Sequence, residues 1–534
     1  MRPILTVLQM LLILVLTHFI STNAYAVLTM KGACTAEEKW SVSGEHPPEW
    51  IDKGVKFSSS NLKDLLLPYQ RSLKNQGWSG ASDYLAGRAY YQEGLIHLAF
   101  DRFQKIILTP EVSSKVLRVA AVQCLMKMQT DYATFKLSPA AIPFLSSHWK
   151  DDPHTYRNYF TLLMLRADID SAQLPKEMMA NASDQNAVKW ILALKQATVS
   201  ADEKTIQQLK SALNVPPEFS ADPIVKPYLE LLSLTLAREY YIAGKYQDSL
   251  AQSRLIAKQY PSLPENIELM AWTFFQLRNF NASNGQSLSL RTAGLKNYFA
   301  PQTSLIPAMV FLDHCQFEEA KSQLDYYRVK YRLEAAYLSK STSDRYADLM
   351  ATLLGKAKLV PAKIISEWLK SALVSSLLEE NNMLVDERAL IQKNREEMTR
   401  ASGDHDLTPV IVNLVKADLQ TLQKSLEEIE ARNVTALRSM LNQKSETLKK
   451  QLDLATQNAG LMEVDILLAL SNRISQTAHS KSISADEKET ASDGKTPKAV
   501  WNWGKKVTIH LESEEVWADE MGNFRVPVKD QCRH

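Results

Sequence analysis

The chain has 534 residues, with 62 basic and 60 acidic side chains and a formal net charge of +2. This balance gives no reason to expect nucleic-acid binding, which requires a clustered basic surface. Only 16 residues are glycine, which is less than half the usual share of about 7%. Because glycine weakens helix interiors, its scarcity predicts a mostly helical fold. The length exceeds that of one ordinary hydrophobic core.

Residues 1–26 are predicted to be an export signal. Arg2 supplies a positive start, Ile4–Leu16 is almost wholly apolar, and a small-x-small cleavage pattern ends at residue 26. We therefore expect a periplasmic or secreted protein of the cell envelope. The alternative is an uncleaved anchor, since Ile4–Ile20 could nearly span a bilayer. Otherwise the protein would reach a membrane only by association.

A repeated pattern of small and aromatic residues organises Pro227–Tyr331. On a 34-residue unit, Ala237, Tyr240 and Gly244 occupy the eighth, eleventh and fifteenth places. Similar residue types return after 34 residues and again after a further 37, at Ala271, Phe274, Phe280, Ala308, Phe311, Phe317 and Ala320. A fixed period of this length is typical of stacked helical hairpins.

The clearest single unit is Gly80–Pro110. Its diagnostic residues are Gly87, Tyr90, Gly94, Ala99 and Phe103. Small residues let two helices approach closely, and the large ones fill the space beside them.

These sets resemble the tetratricopeptide repeat family. The resemblance implies an α-solenoid over residues 61–345, whose concave groove binds partner segments. By this resemblance, the positions that line the groove in that family correspond to Tyr84, Arg88, Tyr91, Gln92, Arg238, Tyr241, Trp272, Phe275 and Gln276. Tyr, Trp and Arg are residue types that anchor interfaces. The alternative is that the aromatic residues pack against a neighbouring hairpin or the long helix that follows.

Residues 346–474 are predicted to be a long helical, coiled-coil-like region. Within 407–457, apolar residues recur at spacings of three and four, slip by one residue after Ile429, and resume at Val434. We expect a coiled coil or helical hairpin that could mediate self-association. The alternative is two helices that pack on the end of the solenoid. Gly460 is expected to end the element, and Leu461–Ile474 is expected to form another helix.

The C-terminal part is predicted to contain a disordered linker and a small β unit. Residues 475–499 are rich in polar and charged side chains and contain almost nothing to bury. In 500–534, alternating strand-like runs flank a turn at Met521-Gly522-Asn523. With the irregular segment 27–60, these regions complete the predicted domain organisation.

Four cysteines occur in the chain. A disulfide between Cys34 and Cys532 would tie the two ends of the exported protein together. Cys124 and Cys315 lie at apolar places of predicted helices, which favours buried free thiols.

The overall layout suggests a narrower resemblance. A signal peptide, degenerate hairpins, a long helical region and an ending Trp517-Ala-Asp-Glu-Met-Gly-Asn-Phe524…Cys532 are similar to periplasmic repeat proteins of the bacterial gliding-motility envelope machinery. This resemblance implies a structural role in an envelope complex.

No motif indicates catalysis, a metal or a cofactor. Neither a Walker-type nor a dinucleotide-binding glycine pattern occurs. His314 and Cys315 are adjacent, but no third ligand or base stands at a useful spacing. We therefore predict a non-enzymatic scaffold or adaptor that binds other envelope proteins. The alternatives are an envelope glycan-acting enzyme built on an α-solenoid, and a periplasmic assembly chaperone.

Overall fold

The computed structural model describes residues 62–67, 70, 81–109, 114–132, 134–165, 173–176, 178, 203–214, 226–256, 263–340, 344–401, 407–483, 528 and 530–532. The predicted export signal, the irregular segment 27–60 and most of the predicted β unit lie outside these residues. In the described part the fold is mostly helical and has no strand, which confirms the predicted α class.

Seventeen α-helices cover most of the described chain. The first seven are α1 (Leu62–Leu65), α2 (Ala81–Glu93), α3 (Ile96–Leu108), α4 (Lys115–Asp131), α5 (Ala141–Ser147), α6 (Pro153–Leu165) and α7 (Glu203–Leu213). The next six are α8 (Lys226–Ile242), α9 (Tyr246–Leu255), α10 (Leu263–Gln276), α11 (Phe280–Ser289), α12 (Ile306–Asp313) and α13 (Phe317–Leu338). The last four are α14 (Arg345–Leu353), α15 (Ala362–Leu369), α16 (Ala372–Ala401) and α17 (Pro409–Ile483). Short 3-10 turns occupy Trp149–Asp151 and Thr303–Leu305.

Five helices end in the same type of turn. The turn residues have positive φ angles of 87°, 73°, 54°, 57° and 69° at Gly94, Gly244, Arg278, Cys315 and Gly355. In each turn, the next residue's N–H donates to the carbonyl five residues earlier, at 2.8–2.9 Å. This bond satisfies a carbonyl that the helix end would otherwise leave unpaired. Four of these turns join the pairs α2–α3, α8–α9, α10–α11 and α12–α13, where the sequence predicts helical hairpins.

Small residues at repeated places hold the paired helices close together. An added Cβ on Gly87 would lie 2.9 Å from a ring carbon of Phe103, so only glycine fits at that crossing without a shift. Ser249 Oγ donates to the carbonyl of Ala237 at 2.8 Å, and Ser283 Oγ repeats that bond to Ala271 at 2.8 Å. These buried hydroxyls are therefore hydrogen-bonded across the paired helices.

The long helix α17 packs against the rest of the chain in two successive zones. Val415, Leu419, Leu422 and Leu426 belong to a first core with α2–α8 and α16. Leu437, Leu441, Leu448 and Leu452, followed by Ala455, Ala459, Met462 and Ile466, belong to a second core with α12–α16. The predicted apolar seam is therefore covered by the protein's own helices. The alternative of two helices on the end of the solenoid differs from this arrangement, because α17 is one continuous helix.

The predicted end of this helix is wrong, because α17 continues through Gly460 to Ile483. A helical glycine costs about 1 kcal/mol relative to alanine. Ala459 and Met462 on either side of Gly460 are buried in the second core, and their packing outweighs that cost. The helix also includes residues 475–483, where the sequence predicts the start of a linker.

A buried polar cluster joins α3, α16 and α17 at the seam's one-residue slip. His97 Nδ1 lies 2.7 Å from Glu387 Oε2, and the His97 backbone N–H donates to Glu387 Oε1 at 2.9 Å. His97 Nε2 is 3.8 Å from Glu380 Oε1, within ion-pair range. Asn433 donates to Glu380 Oε2 at 2.6 Å and to Asn381 Oδ1 at 3.3 Å. We call these five residues the His97 cluster.

Charge balance sets the protonation of the His97 cluster. Burial by itself would lower the pKa of His97, but Glu380 and Glu387 together raise it to about 9. Burial raises the pKa of Glu380, yet its bonds with His97 and Asn433 outweigh burial and lower it. At neutral pH a histidinium therefore neutralises one of the two facing carboxylate charges, and the His97 backbone N–H and the Asn433 amide donate further hydrogen bonds to the carboxylates.

Candidate partner-binding surface

The first predicted unit contributes little to an accessible surface. The relative exposure of Tyr84 is 0% and that of Arg88 is 1%. Tyr84 packs against Phe103 within the first core, with ring centroids 5.8 Å apart. Tyr91 is half-buried, and Gln92 is exposed. The assignment of Tyr84 and Arg88 to an open groove is therefore wrong in this structure.

Helices α16 and α17 also bond to the hairpin that carries Tyr84 and Arg88. Tyr90 on α2 donates to Asp418 Oδ2 of α17 at 2.8 Å, and Arg102 on α3 pairs with the same carboxylate. Lys393 on α16 pairs with Glu93 at 2.8 Å. The carried-over groove positions assume a hairpin whose inner face is open, whereas this hairpin is covered by the chain's own long helices.

The later units keep their predicted residues accessible and close together. We call Arg238, Tyr241, Trp272, Phe275 and Gln276 the hairpin patch. Arg238 is exposed and forms a 3.0 Å ion pair with Glu265, which links α8 to α10. Burial raises the pKa of Tyr241, and a hydrogen bond with Gln276 opposes that shift only in part. The first helices of two consecutive hairpins therefore present these five side chains side by side.

Aromatic rings extend the hairpin patch toward the next hairpin. Trp272 and Phe275 have ring centroids 6.1 Å apart, and Phe275 lies 5.6 Å from Phe280. Phe280 lies 5.0 Å from the ring of His314, at the turn between α12 and α13. The edge-to-face geometry of these contacts is favourable for aromatic pairs. The indole N–H of Trp272 donates to Thr303 Oγ1 at 2.9 Å, which fixes the ring at one end of the row.

The C-terminal segment lies against this aromatic row. The side chain of Val528 packs on the same buried core, Ala271, Ile306 and Val310, as Trp272, Phe275 and Phe280 do. Its backbone N–H donates to Asn281 Oδ1 at 2.9 Å. Three residues later, the backbone N–H of Gln531 donates to the His314 carbonyl at 3.0 Å. Two neighbouring hairpins thus hold a non-helical segment through one apolar side chain and two backbone N–H groups.

A disulfide fixes the same segment covalently. Cys532 is bonded to Cys315, with Cα atoms 5.1 Å apart. This pairing replaces the predicted bond between Cys34 and Cys532. Cys315 is the turn residue after α12, so its side chain points out of the hairpin end toward the tail. None of the cysteines in the described ranges is free, and Cys124 is also disulfide-bonded, so the prediction of buried free thiols is wrong.

Sequence reasoning did not identify Phe280, His314 or Asn281 as part of this surface. Phe280 has a detectable signal, because it stands at a recurring aromatic place of the repeat. His314 stands next to the turn cysteine, but its Nδ1 hydrogen bonds with the Val310 carbonyl at 2.8 Å and closes its own helix end. With Cys315 oxidised, this pair offers no nucleophilic thiol.

Comparisons with protein-family models, curated proteins and solved structures found no match. No helix among the described residues has the length and apolar character of a membrane span. Within the same ranges, no three His, Cys, Asp or Glu side chains are grouped to hold a metal ion.

Proposed function

We propose that this protein is a non-enzymatic scaffold whose hairpin patch and adjoining aromatic row hold segments of partner proteins. The docking of the C-terminal segment carries the proposal. In that segment the β-branched side chain of Val528 is partly buried, and two backbone N–H groups donate to the neighbouring hairpins, which supports a capacity to hold a non-helical peptide. Half-buried Trp, Phe and Tyr side chains provide contact area with little loss of side-chain entropy.

The partner segment is expected to combine an apolar residue with an acidic or polar flank. In the intact protein, Val528 supplies the apolar side chain that packs on the core of Ala271, Ile306 and Val310. In the hairpin patch, the side chain of Gln276 is exposed, and Arg238 forms an ion pair with Glu265. A partner carboxylate could compete for Arg238, since an exposed ion pair of this kind contributes at most about 1 kcal/mol. Several weak contacts on successive hairpins would then add through multivalency.

The proposed location is the bacterial periplasm or another part of the exported cell envelope. The Cys315–Cys532 bond and the bonded state of Cys124 support it, because disulfides persist in oxidising compartments. Within that setting, the resemblance of the C-terminal sequence to gliding-motility repeat proteins makes an envelope motility complex the narrower proposal.

Self-association through 407–457 is a weaker part of the proposal. The apolar seam of that segment is already buried against the chain's own cores. A second stripe on the same helix is exposed, with Leu454, Leu461, Val464 and Leu468 all more than 45% accessible. If copies of the chain associate through α17, this stripe is the surface that remains for it.

The proposal is tested by crosslinking in intact cells, followed by affinity isolation of the tagged full-length protein from envelope fractions. The variants are Arg238→Glu and Phe275→Ala, with Arg254→Glu as the matched control on the exposed face of α9. We expect a stoichiometric set of envelope proteins that the two patch variants lose and the control retains. Equal recovery by all variants would contradict the assignment of the surface.

A second measurement separates this proposal from the two alternative functions. Release of soluble fragments from purified peptidoglycan by the full-length protein would indicate a glycan-acting enzyme. Substoichiometric recovery of many unrelated proteins would indicate a chaperone. The scaffold proposal expects neither result.

A further inference from the structure

Three basic side chains interact electrostatically in a region that the partner-binding surface does not use. They are Arg291, which follows α11, Lys330 on α13 and Lys363 on α15. Lys330 Nζ donates to Ser304 Oγ at 3.2 Å, and Lys363 Nζ donates to the Lys330 carbonyl at 3.2 Å. Both lysine nitrogens lie about equally far from the ring centroid of Tyr331, at 5.4 and 5.5 Å. With Tyr331, Ser304 and Glu334, these residues form the Lys330 cluster.

The cluster contains more positive than negative charge. Lys363 forms an ion pair with Glu334 at 2.8 Å, and Glu334 is only 3% exposed. In the described part of the chain, neither Arg291 nor Lys330 has a carboxylate within ion-pair distance. Arg291 instead donates to the Gln323 amide at 2.8 Å and stacks over Tyr326. Three cations therefore share one carboxylate.

Several polar atoms of the cluster also remain without a hydrogen bond. Arg291 Nε and Glu334 Oε2 are both buried and make none within the described residues. Burying a cation without a partner costs several kcal/mol. Burial, together with Arg291 and Lys363, lowers the pKa of Lys330 to about 7. Burial also lowers the pKa of Arg291. The fold thus maintains an arrangement of positive charge that its own residues do not neutralise.

The surrounding donors indicate what could neutralise it. Lys330 and Arg291 are only partly covered, so an ion can reach them from solvent. The hydroxyl of Ser304 donates to the Ala300 carbonyl at 2.9 Å and accepts from Tyr331 and Lys330, so both hydroxyl protons are used within the fold. The donors left for a ligand are the Lys330 ammonium and the Arg291 guanidinium, which are suited to an oxyanion. A bound anion favours the charged form of Lys330, because a nearby opposite charge raises the pKa of an amine. The excess of two positive charges over Glu334 then matches a doubly charged oxyanion.

We propose that the Lys330 cluster is a binding site for a doubly charged oxyanion of the phosphate class, either as the free ion or as a phosphomonoester group. The site lies between α11, α13 and α15 and does not depend on the proposed scaffold function. Bound anion would pair with Lys330 and Arg291 and leave the Lys363–Glu334 pair intact.

The test is a titration of the full-length protein with sodium phosphate at constant ionic strength, with sodium chloride as the balancing salt. Unfolding temperature and calorimetric heat are measured together. A ligand that binds only the folded state raises the unfolding temperature in a concentration-dependent way. We expect a saturable rise with phosphate, and at least tenfold weaker binding in Lys330→Met and in Arg291→Met. The matched control is Lys356→Met, an exposed lysine after α14, which should bind as the unaltered protein does.

The outcomes are distinct. A phosphate effect no larger than that of chloride, or an equal effect in Lys330→Met, would overturn the proposal. Circular dichroism of each variant verifies that it is folded before its affinity is compared. A parallel titration with glycerol 1-phosphate distinguishes the two ligand sources. Tighter binding than inorganic phosphate assigns the site to a phosphomonoester, and weaker binding assigns it to the free anion.

Discussion

The His97 cluster and the Lys330 cluster are both groups of charged residues between packed helices, yet their positive and negative charges are balanced differently. In the first, one histidine faces two carboxylates, and its pKa is raised to about 9. In the second, three cations share one carboxylate, and the pKa of Lys330 is lowered to about 7. A buried charge is tolerated when partners within the fold satisfy it. The His97 cluster therefore acts as a structural joint, whereas the Lys330 cluster leaves positive charge for a ligand.

Replacing His97 with alanine should have the largest effect on stability. The substitution leaves Glu380 and Glu387 buried near each other without their cation. We expect a loss of about 3–5 kcal/mol in the free energy of unfolding, which is typical when one partner of a buried ion pair is removed. Urea denaturation at pH 7 measures it. A double variant that also carries Glu387→Gln should recover part of the loss; a loss below about 1 kcal/mol in the single variant would contradict the joint role.

Within the Lys330 cluster, substitutions of the two lysines should have different effects on the free energy of unfolding. Lys363→Met leaves Glu334 without its partner and should cost about 2–3 kcal/mol. Lys330→Met removes a cation that has no carboxylate partner, so stability should stay the same or rise by about 1 kcal/mol. The same urea experiment in phosphate-free buffer compares them. Equal destabilisation by both would mean that Lys330 is satisfied within the fold, which would remove the contrast between the clusters.

The two clusters should also make the free energy of unfolding depend on pH in opposite directions. The folded pKa of His97, about 9, lies above its ordinary value of 6.5, so its contribution is complete below pH 6.5 and is lost as the pH rises to 9. The folded pKa of Lys330, about 7, lies below its ordinary value of 10.5. The unfolded chain then binds the extra proton, and stability is gained between pH 7 and 10.5. Subtracting the unfolding profiles of His97→Gln and Lys330→Met from that of the unaltered protein isolates each trend.

A substitution outside both clusters provides the smallest expected change and a reference for the others. Gly460 lies inside α17, and an added Cβ would meet no atom within 4 Å. Gly460→Ala should raise the free energy of unfolding by about 0.5–1 kcal/mol. This increase should be independent of pH, whereas the contributions of His97 and Lys330 to stability change with pH. A decrease would show that this part of α17 needs the flexibility of glycine.

The sequence identified elements with strong local signals and missed contacts made over long distances. The hairpin helices around Gly94 and Gly244 follow from local packing rules and turn chemistry. The seam of α17 was found from its spacing, and the slip after Ile429 coincides with the buried Asn433. However, periodicity cannot tell whether a seam faces another copy or the same chain. That missing information is also why Tyr84 and Arg88 were assigned to an open groove.

The sequence predicts only part of the candidate surface, because a local pattern does not show contacts between distant segments. Arg238, Tyr241, Trp272, Phe275 and Gln276 lie together because the repeat places them on consecutive first helices. The docking of Val528 depends on a tail more than 200 residues away in sequence from Asn281, and no local pattern encodes that contact. Similarly, the positions of Cys34 and Cys532 near the two chain ends predict a bond between them. The helical fold instead brings Cys315 to the C-terminal segment.

The bond between Cys315 and Cys532 has a topological consequence. It closes a covalent ring over a sequence separation of 217 residues, which contains every helix from α13 to α17. A protease that cuts once inside this ring opens it without dividing the molecule. The nicked protein should migrate as one species under non-reducing denaturing conditions and as two fragments after reduction. A cut before residue 315, outside the ring, separates fragments in both conditions unless the second disulfide, at Cys124, also spans the cut.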